Sequence, residues 1–198
     1  MRKVDKERPH IWPHRSTGVM KKAIKSILAV WILVSAGSTG LLLIIPEEGM
    51  KVSAATITVD DSGGADYTTI QAAIDNANAG DTIIVKSGTY HENVVINKEL
   101  TLNGDGMTST TIDGGGNGDV MIITSNSVDI NGFTITNGGN IGIYLNSVSN
   151  CNIFNNTCNS NGDDGIYLDS SNSNTIANNN INSNTKKLTL FHAGYADL

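Results

Sequence analysis

Residues 142–184 read GIYLNSVSNCNIFNNTCNSNGDDGIYLDSSNSNTIANNNINSN. The tetrapeptide GIYL stands at Gly142–Leu145 and returns at Gly165–Leu168, a shift of 23 residues. The same shift carries Ile153 onto Ile176, Asn155 and Asn156 onto Asn178 and Asn179, and Cys158 onto Ile181. Applied backwards, it sets Val128, Ile130 and Ile135 under Cys151, Ile153 and Cys158, and Val120 and Ile122 under Ile143 and Leu145. Three consecutive units therefore share one apolar frame. Within a unit, apolar and polar residues alternate over short segments, the period of a strand. Three short strands and their turns account for one unit. A coil of that size cannot bury its inward face alone, whereas stacked coils bury a continuous column, with parallel strands about 4.8 Å apart. The predicted fold is all-β: a right-handed, single-stranded parallel β-helix.

Composition agrees with this frame. The chain has 198 residues, only 16% of them charged and 5% aromatic. Asn occurs 24 times, and 19 of these fall between Asn117 and Asn184. Tight turns repeated at one place in each coil need residues that tolerate the left-handed region. Gly132, Asn155 and Asn178 occupy equivalent positions, as do Asn156 and Asn179. The Asn richness therefore reads as turn and ladder chemistry, with Asn155, Asn178, Asn156 and Asn179 as the ladder. Upstream, TIIV (82–85), VVI (94–96), LTL (100–102) and TTI (110–112) read as further strands. Before them, Ile70, Ala73, Ile74 and Ala77 give the apolar stripe of one helix over about 69–79. Thr68 and Gln71 have capping-box spacing, and Gly80 can end the helix in a left-handed turn. Such a helix would cover the open end of the column. The β-helix is expected over 56–185, with about four to five coils at this repeat length.

The first 55 residues differ. Residues 1–25 hold eight Lys/Arg and two Asp/Glu, a net +6, and read as a basic cytoplasmic leader. From Ser26 to Pro46 no residue is charged, long enough for a membrane-spanning helix. Ser53 and Ala55 then stand at the small-residue places of a cleavage site. Residues 26–55 are read as a signal peptide or membrane anchor, which puts the remainder at the cell surface, in the periplasm or outside the cell. Residues 26–198 hold five basic and seventeen acidic residues, a net −12, and every Arg lies at or before Arg15. A surface of that charge repels phosphate backbones and excludes nucleic acid as a partner.

DYTTIQAAIDNANAGDTIIVKSGTYHENVVINKELTLNGDG (66–106) resembles the opening of pectin-lyase-like β-helix proteins, including pectin methylesterases. The units around GIYL and NTIANNNINSN resemble the repeats of NosD-type periplasmic proteins and of surface proteins. The resemblance implies a fold that carries lyases, hydrolases, esterases, adhesins and spacers. The chemistry of the enzymes is poorly matched. Elimination on uronates of the pectate-lyase kind implies an Arg base and Ca²⁺, and the domain has no Arg. The methylesterase kind implies paired Asp, an Arg and Gln donors, and the one Gln is Gln71 in the cap helix. Asp163 and Asp164 resemble the paired Asp of polygalacturonases, without that family's His and Arg-x-Lys. They are the catalytic candidates, and a polar turn is the simpler reading.

The NosD likeness implies copper, which prefers His, Met and Cys. The candidates are His91, Met107, Met121, Cys151 and Cys158, and both Cys occupy slots filled elsewhere by Val or Ile. Asp113 and Asp119 bracket a glycine-rich run that could meet Ca²⁺, and His91 follows a GTY turn. No cofactor is supported by spacing alone. Asn155-Asn156-Thr157 is a glycosylation sequon. Residues 186–198 show neither the coil frame nor Asn, and are read as a non-repeat tail left by truncation. A last rung ending there would offer a parallel edge and favour self-association. The shift aligns Tyr144 with Tyr167, a pair able to stack on sugars, although alternation does not say which face they take. The favoured function is a secreted or anchored structural or carbohydrate-binding module, with a cell-envelope glycan as partner. The alternatives are a remnant of a polysaccharide-active enzyme and a copper-handling accessory protein.

Overall fold

A computed structural model describes residues 53–191 and 196–197. The leader and the 26–55 hydrophobic segment lie outside the described residues, apart from the last residues of that segment. No helix among the described residues is long and apolar enough to cross a membrane.

The chain winds through three parallel sheets. One stacks β1 (Thr56–Val59), β2 (Asp81–Val85), β5 (Leu100–Gly104), β8 (Asp129–Asn131), β11 (Asn152–Phe154), β14 (Asn174–Ala177) and β17 (Ala196–Asp197). The second stacks β3 (Gly88–His91), β6 (Thr110–Asp113), β9 (Thr134–Thr136), β12 (Thr157–Asn159) and β15 (Asn180–Asn182). The third stacks β4 (Val94–Ile96), β7 (Met121–Ile123), β10 (Ile143–Asn146), β13 (Asp164–Asp169) and β16 (Lys186–Phe191). Every pairing is parallel. Five complete coils lie between β1 and β17, the upper end of the four to five expected. Residues 186–191, expected to lie outside the frame, supply its strand β16. Leu188 and Leu190 stack on Ile166 and Leu168, at a shift of 22 rather than 23, which hides them from a search at one fixed period.

Each sheet contributes one apolar stack to the interior. Ile83, Leu102, Ile130, Ile153 and Ile176 form the first. Tyr90, Ile112, Ile135, Cys158 and Ile181 form the second. Ile96, Ile123, Leu145 and Leu168 form the third, and Leu190 continues it in an exposed position. Here the 23-residue frame needs a correction. Ile143 and Leu145 rest on Met121 and Ile123, not on Val120 and Ile122. The shift between β7 and β10 is 22, and a change of one residue turns every side chain of a strand to its other face. Ile122 therefore points outward under Tyr144.

The corners explain the Asn. Left-handed residues recur at four places per coil: Ser127, Asn150 and Ser173; Gly132, Asn155 and Asn178; Asn137, Ser160 and Ser183; Ser147 and Ser170. Apart from Gly132, their φ angles run from 51 to 58°. Gly132 also has a steric reason, since a Cβ there would lie 2.7 Å from the carbonyl oxygen of Gly104. The residue after each corner points inward, and its N–H leaves the strand ladder. At six corners a side-chain oxygen 23 residues later receives it. Phe133 N–H donates to Asn156 Oδ1 at 3.1 Å, and Asn156 N–H to Asn179 Oδ1 at 2.9 Å. Gly138 and Asn161 donate in the same way to Asn161 and Asn184, Cys151 to Asn174, and Val148 to Ser171. The Asn156 amide also donates to the carbonyls of Ile130 and Phe154, each at 3.0 Å. Among the described residues, no buried side-chain nitrogen or oxygen lacks a partner.

The cap helix α1 runs over Ile70–Asn76, shorter than expected, and buries Ile70, Ala73 and Ile74. Its N-cap, Thr69, makes no side-chain cap bond. Instead the carboxylate of Glu92 accepts the N–H groups of Ile70 at 2.8 Å and Gln71 at 2.9 Å. Gln71 is thereby released from a capping box. Its amide accepts the N–H of Val95 at 2.8 Å and donates to the carbonyl of Val95 at 3.3 Å, so it stands in for a neighbouring strand along the free edge of β4. Lys98 donates to the carbonyls of Asp75 and Ala77 at the other end. An anion at the N-terminus and a cation at the C-terminus both suit the helix dipole. Gly80 does adopt a left-handed φ of +84°, but in the turn into β2, because the helix has already ended at an extended Ala77.

Two stability outcomes follow. Asn156→Ala strands the buried Phe133 N–H and should cost about 2 kcal/mol in chemical denaturation. Glu92→Ala uncaps α1 and should cost about 1 kcal/mol in the same assay.

Candidate functional site

The outward face of the β4–β7–β10–β13–β16 sheet carries one column of side chains: Val95, Ile122, Tyr144, Tyr167 and Thr189. Tyr144 and Tyr167 are half-buried in register on adjacent rungs, with ring centroids 5.4 Å apart and planes tilted by 52°. The next outward column holds Asn146, Asp169 and Phe191. The Tyr144 hydroxyl donates to Asp169 Oδ2 at 3.5 Å. Partial burial raises the Tyr144 hydroxyl above its ordinary pKa, and the negative charge of Asp169 raises it further. The face thus combines aromatic faces with hydroxyl, amide and carboxylate groups, the mixture that sugar recognition requires. The alternation that left the tyrosines undirected is resolved by their buried neighbours: Ile143, Leu145, Ile166 and Leu168 face inward. Val95, Ile122, Asn146 and Asp169 escape a sequence reading, since only the one-residue slip at β7 brings Ile122 into the column.

Asp163 and Asp164 precede and open strand β13 (Asp164–Asp169). Both meet one cation: Lys186 Nζ lies 3.0 Å from Asp163 and 3.8 Å from Asp164. Asp164 is buried and also accepts from the Thr189 hydroxyl. Lys186 is held above its usual pKa by the Asp163 carboxylate. This is the chemistry of a strand junction that ties β16 to β13.

His91 ends strand β3 rather than sitting in a turn, and pairs with Asp113, Nδ1 to Oδ2 at 3.6 Å. Asp113 accepts from Gly115 N–H and Asn137 Nδ2, which hold its carboxyl below the usual range. Asp119 accepts from Asn140 Nδ2 and Ile141 N–H. Both carboxylates are thus engaged in closing turns. Among the described residues no three His, Cys, Asp or Glu side chains are grouped to hold a metal ion. Asn155, the sequon acceptor, is a half-buried left-handed corner, whereas Asn156 beside it points into the core.

Residues 49–197 match the family model described as periplasmic copper-binding protein (NosD). The chain belongs to that family. No characterised protein matches it in sequence. Among solved structures, the fold is similar to that of an alginate lyase from Paenibacillus sp. str. FPU-7, with 22% identity, 64% of this chain and 44% of that chain covered, and a TM-score of 0.54. It is also similar to a pectin methylesterase in complex with a hexasaccharide, with 17% identity, coverage of 61% and 48%, and a TM-score of 0.52. The chain spans less than half the length of either enzyme, and at these identities the likeness is one of fold.

The family's description implies copper, and the soft donors among the described residues do not fit it. Cys158 is wholly enclosed in the second apolar stack, and burial pushes its thiol up to about 12. Cys151 is buried at a corner, its thiol also raised by burial. Met121 is buried, and Met107 sulfur accepts from the Thr157 hydroxyl at 3.6 Å. His91 meets a carboxylate rather than a second soft ligand.

The raised Cys158 thiol has a pH signature. Below its ordinary value of 9.0, both folded and unfolded states hold the proton. Above it, the unfolded thiol ionises while the folded one does not, so stability falls as pH rises towards about 12. The slope contributed is about 1.4 kcal/mol per pH unit. Denaturation midpoints of Cys158→Val should decline less steeply with pH than those of the wild type in that window.

Proposed function

We propose that this NosD-family chain is an exported β-helix module that binds a polysaccharide on the outward face built around Tyr144 and Tyr167. The observation that carries the reading is the tyrosine pair itself, two tilted rings one rung apart with Asp169 and Asn146 beside them. Sugar rings present apolar C–H faces to aromatic rings and hydroxyls to carboxylates and amides. Aromatic side chains on a rigid sheet supply such contact at little conformational cost. The fold's similarity to an alginate lyase and a pectin methylesterase supports a glycan as the class of ligand. The family's periplasmic description supports export, with segment 26–55 as signal or anchor.

Turnover is the less favoured reading, because Asp163 and Asp164 are bound to Lys186. Copper handling is less favoured because the soft donors among the described residues are buried or separately engaged.

Glycan-array screening of the full chain, followed by titration, tests the proposal. Tyr144→Ala and Tyr167→Ala should each weaken binding about tenfold, the equivalent of 1–2 kcal/mol of aromatic contact. Undiminished affinity in both variants would overturn the assignment of the face.

A further inference from the structure

We propose that the tyrosine face selects a cationic glycan, a polymer carrying free amino groups, over the uronate polymers. The inference rests on the glycan reading above and adds the charge of the ligand to it.

The argument is one of complementarity. Asp169 borders the ring of Tyr144, and its oxygens accept from two uncharged hydroxyls among the described residues, Tyr144 at 3.5 Å and Ser170 at 2.9 Å. Among the described residues no Lys or Arg lies within ion-pair distance of Asp169. Asp119 acts on the same tyrosine from the neighbouring loop, and its negative charge adds to that of Asp169 there. Two cations lie on β16 of the same sheet. Lys186 is spent on two carboxylates, Asp163 and Asp164. Lys187 stands beside it in the same strand, over Gly165, which offers no side chain. Four carboxylates thus stand against two ammonium groups, and residues 56–198 contain no Arg. A uronate carboxylate stacked on the tyrosines would approach Asp169 as a like charge with no bidentate cation to receive it. An ammonium group in the same place would be attracted both by Asp169 and by the faces of the tyrosine rings.

The test uses the full chain and three hexasaccharides of equal length at pH 6: glucosamine, N-acetylglucosamine and galacturonate. Calorimetric titration should show the glucosamine hexamer binding at least tenfold more tightly than the galacturonate hexamer, with affinity that falls as salt rises. Asp169→Asn should remove most of the glucosamine preference, lowering the affinity for the glucosamine hexamer at least fivefold more than that for the acetylated hexamer. Tyr144→Ala should weaken both, which separates a seated ligand from a polycation adsorbed anywhere on an acidic protein. Equal affinity for the amino and acetylated hexamers, tighter binding of galacturonate, or a preference insensitive to Asp169→Asn and Tyr144→Ala would each overturn the inference and leave the glycan reading standing. Binding of none of the three would overturn the inference, and failure across a glycan array as well would remove the reading on which it rests.

Discussion

A coil that turns sharply must bend its backbone into the left-handed region, and each such bend takes the N–H of the next, inward residue out of the strand ladder. In a dry interior an orphaned N–H is costly. The solution here is one coil away: the side-chain oxygen of Asn156, Asn161, Asn174, Asn179, Asn184 or Ser171 reaches down to that N–H. The coils are thus coupled through their corners as well as through their strands. It also sets a direction. Lower coils fill the equivalent slots with Val128, Phe133 and Val148, and upper coils fill them with Asn or Ser, so the interior becomes more polar towards the C-terminal end.

The lower end is closed by different means. Helix α1 lies over the first coil, and the segment from Glu92 to Lys98 grips it at both termini while Gln71 completes the edge of β4. Each contact spans more than twenty residues of sequence. The helix is only seven residues long and could not persist alone in water. Its stability comes from the buried Ile70, Ala73 and Ile74 and from these charged ends.

The candidate site is a by-product of regularity with one fault in it. Parallel register holds Tyr144 and Tyr167 on adjacent rungs. The one-residue slip below β10 places Ile122 and Val95 under them, so the tyrosines continue an apolar strip beside the column of Asn146, Asp169 and Phe191. The likeness to enzymes of uronate polymers is a likeness of scaffold. The cations that uronate chemistry calls for are missing from the chain after residue 25, except for five lysines.

The sequence by itself determined the class of fold, the strands, the place of the cap helix and the corner residues. All of these depend on local chemistry: apolar alternation, the tolerance of Asn, Ser and Gly for positive φ, and a repeat near 23 residues. Glu92 as the helix cap, the entry of 186–191 into the sheet, the engagement of Asp113 and Asp119 in turns and the joint hold of Asp163 and Asp164 on Lys186 were decided only by tertiary structure. Each depends on which residues meet across coils. Coil lengths here vary by a residue from 23, and one residue is enough to exchange the inside of a strand for the outside.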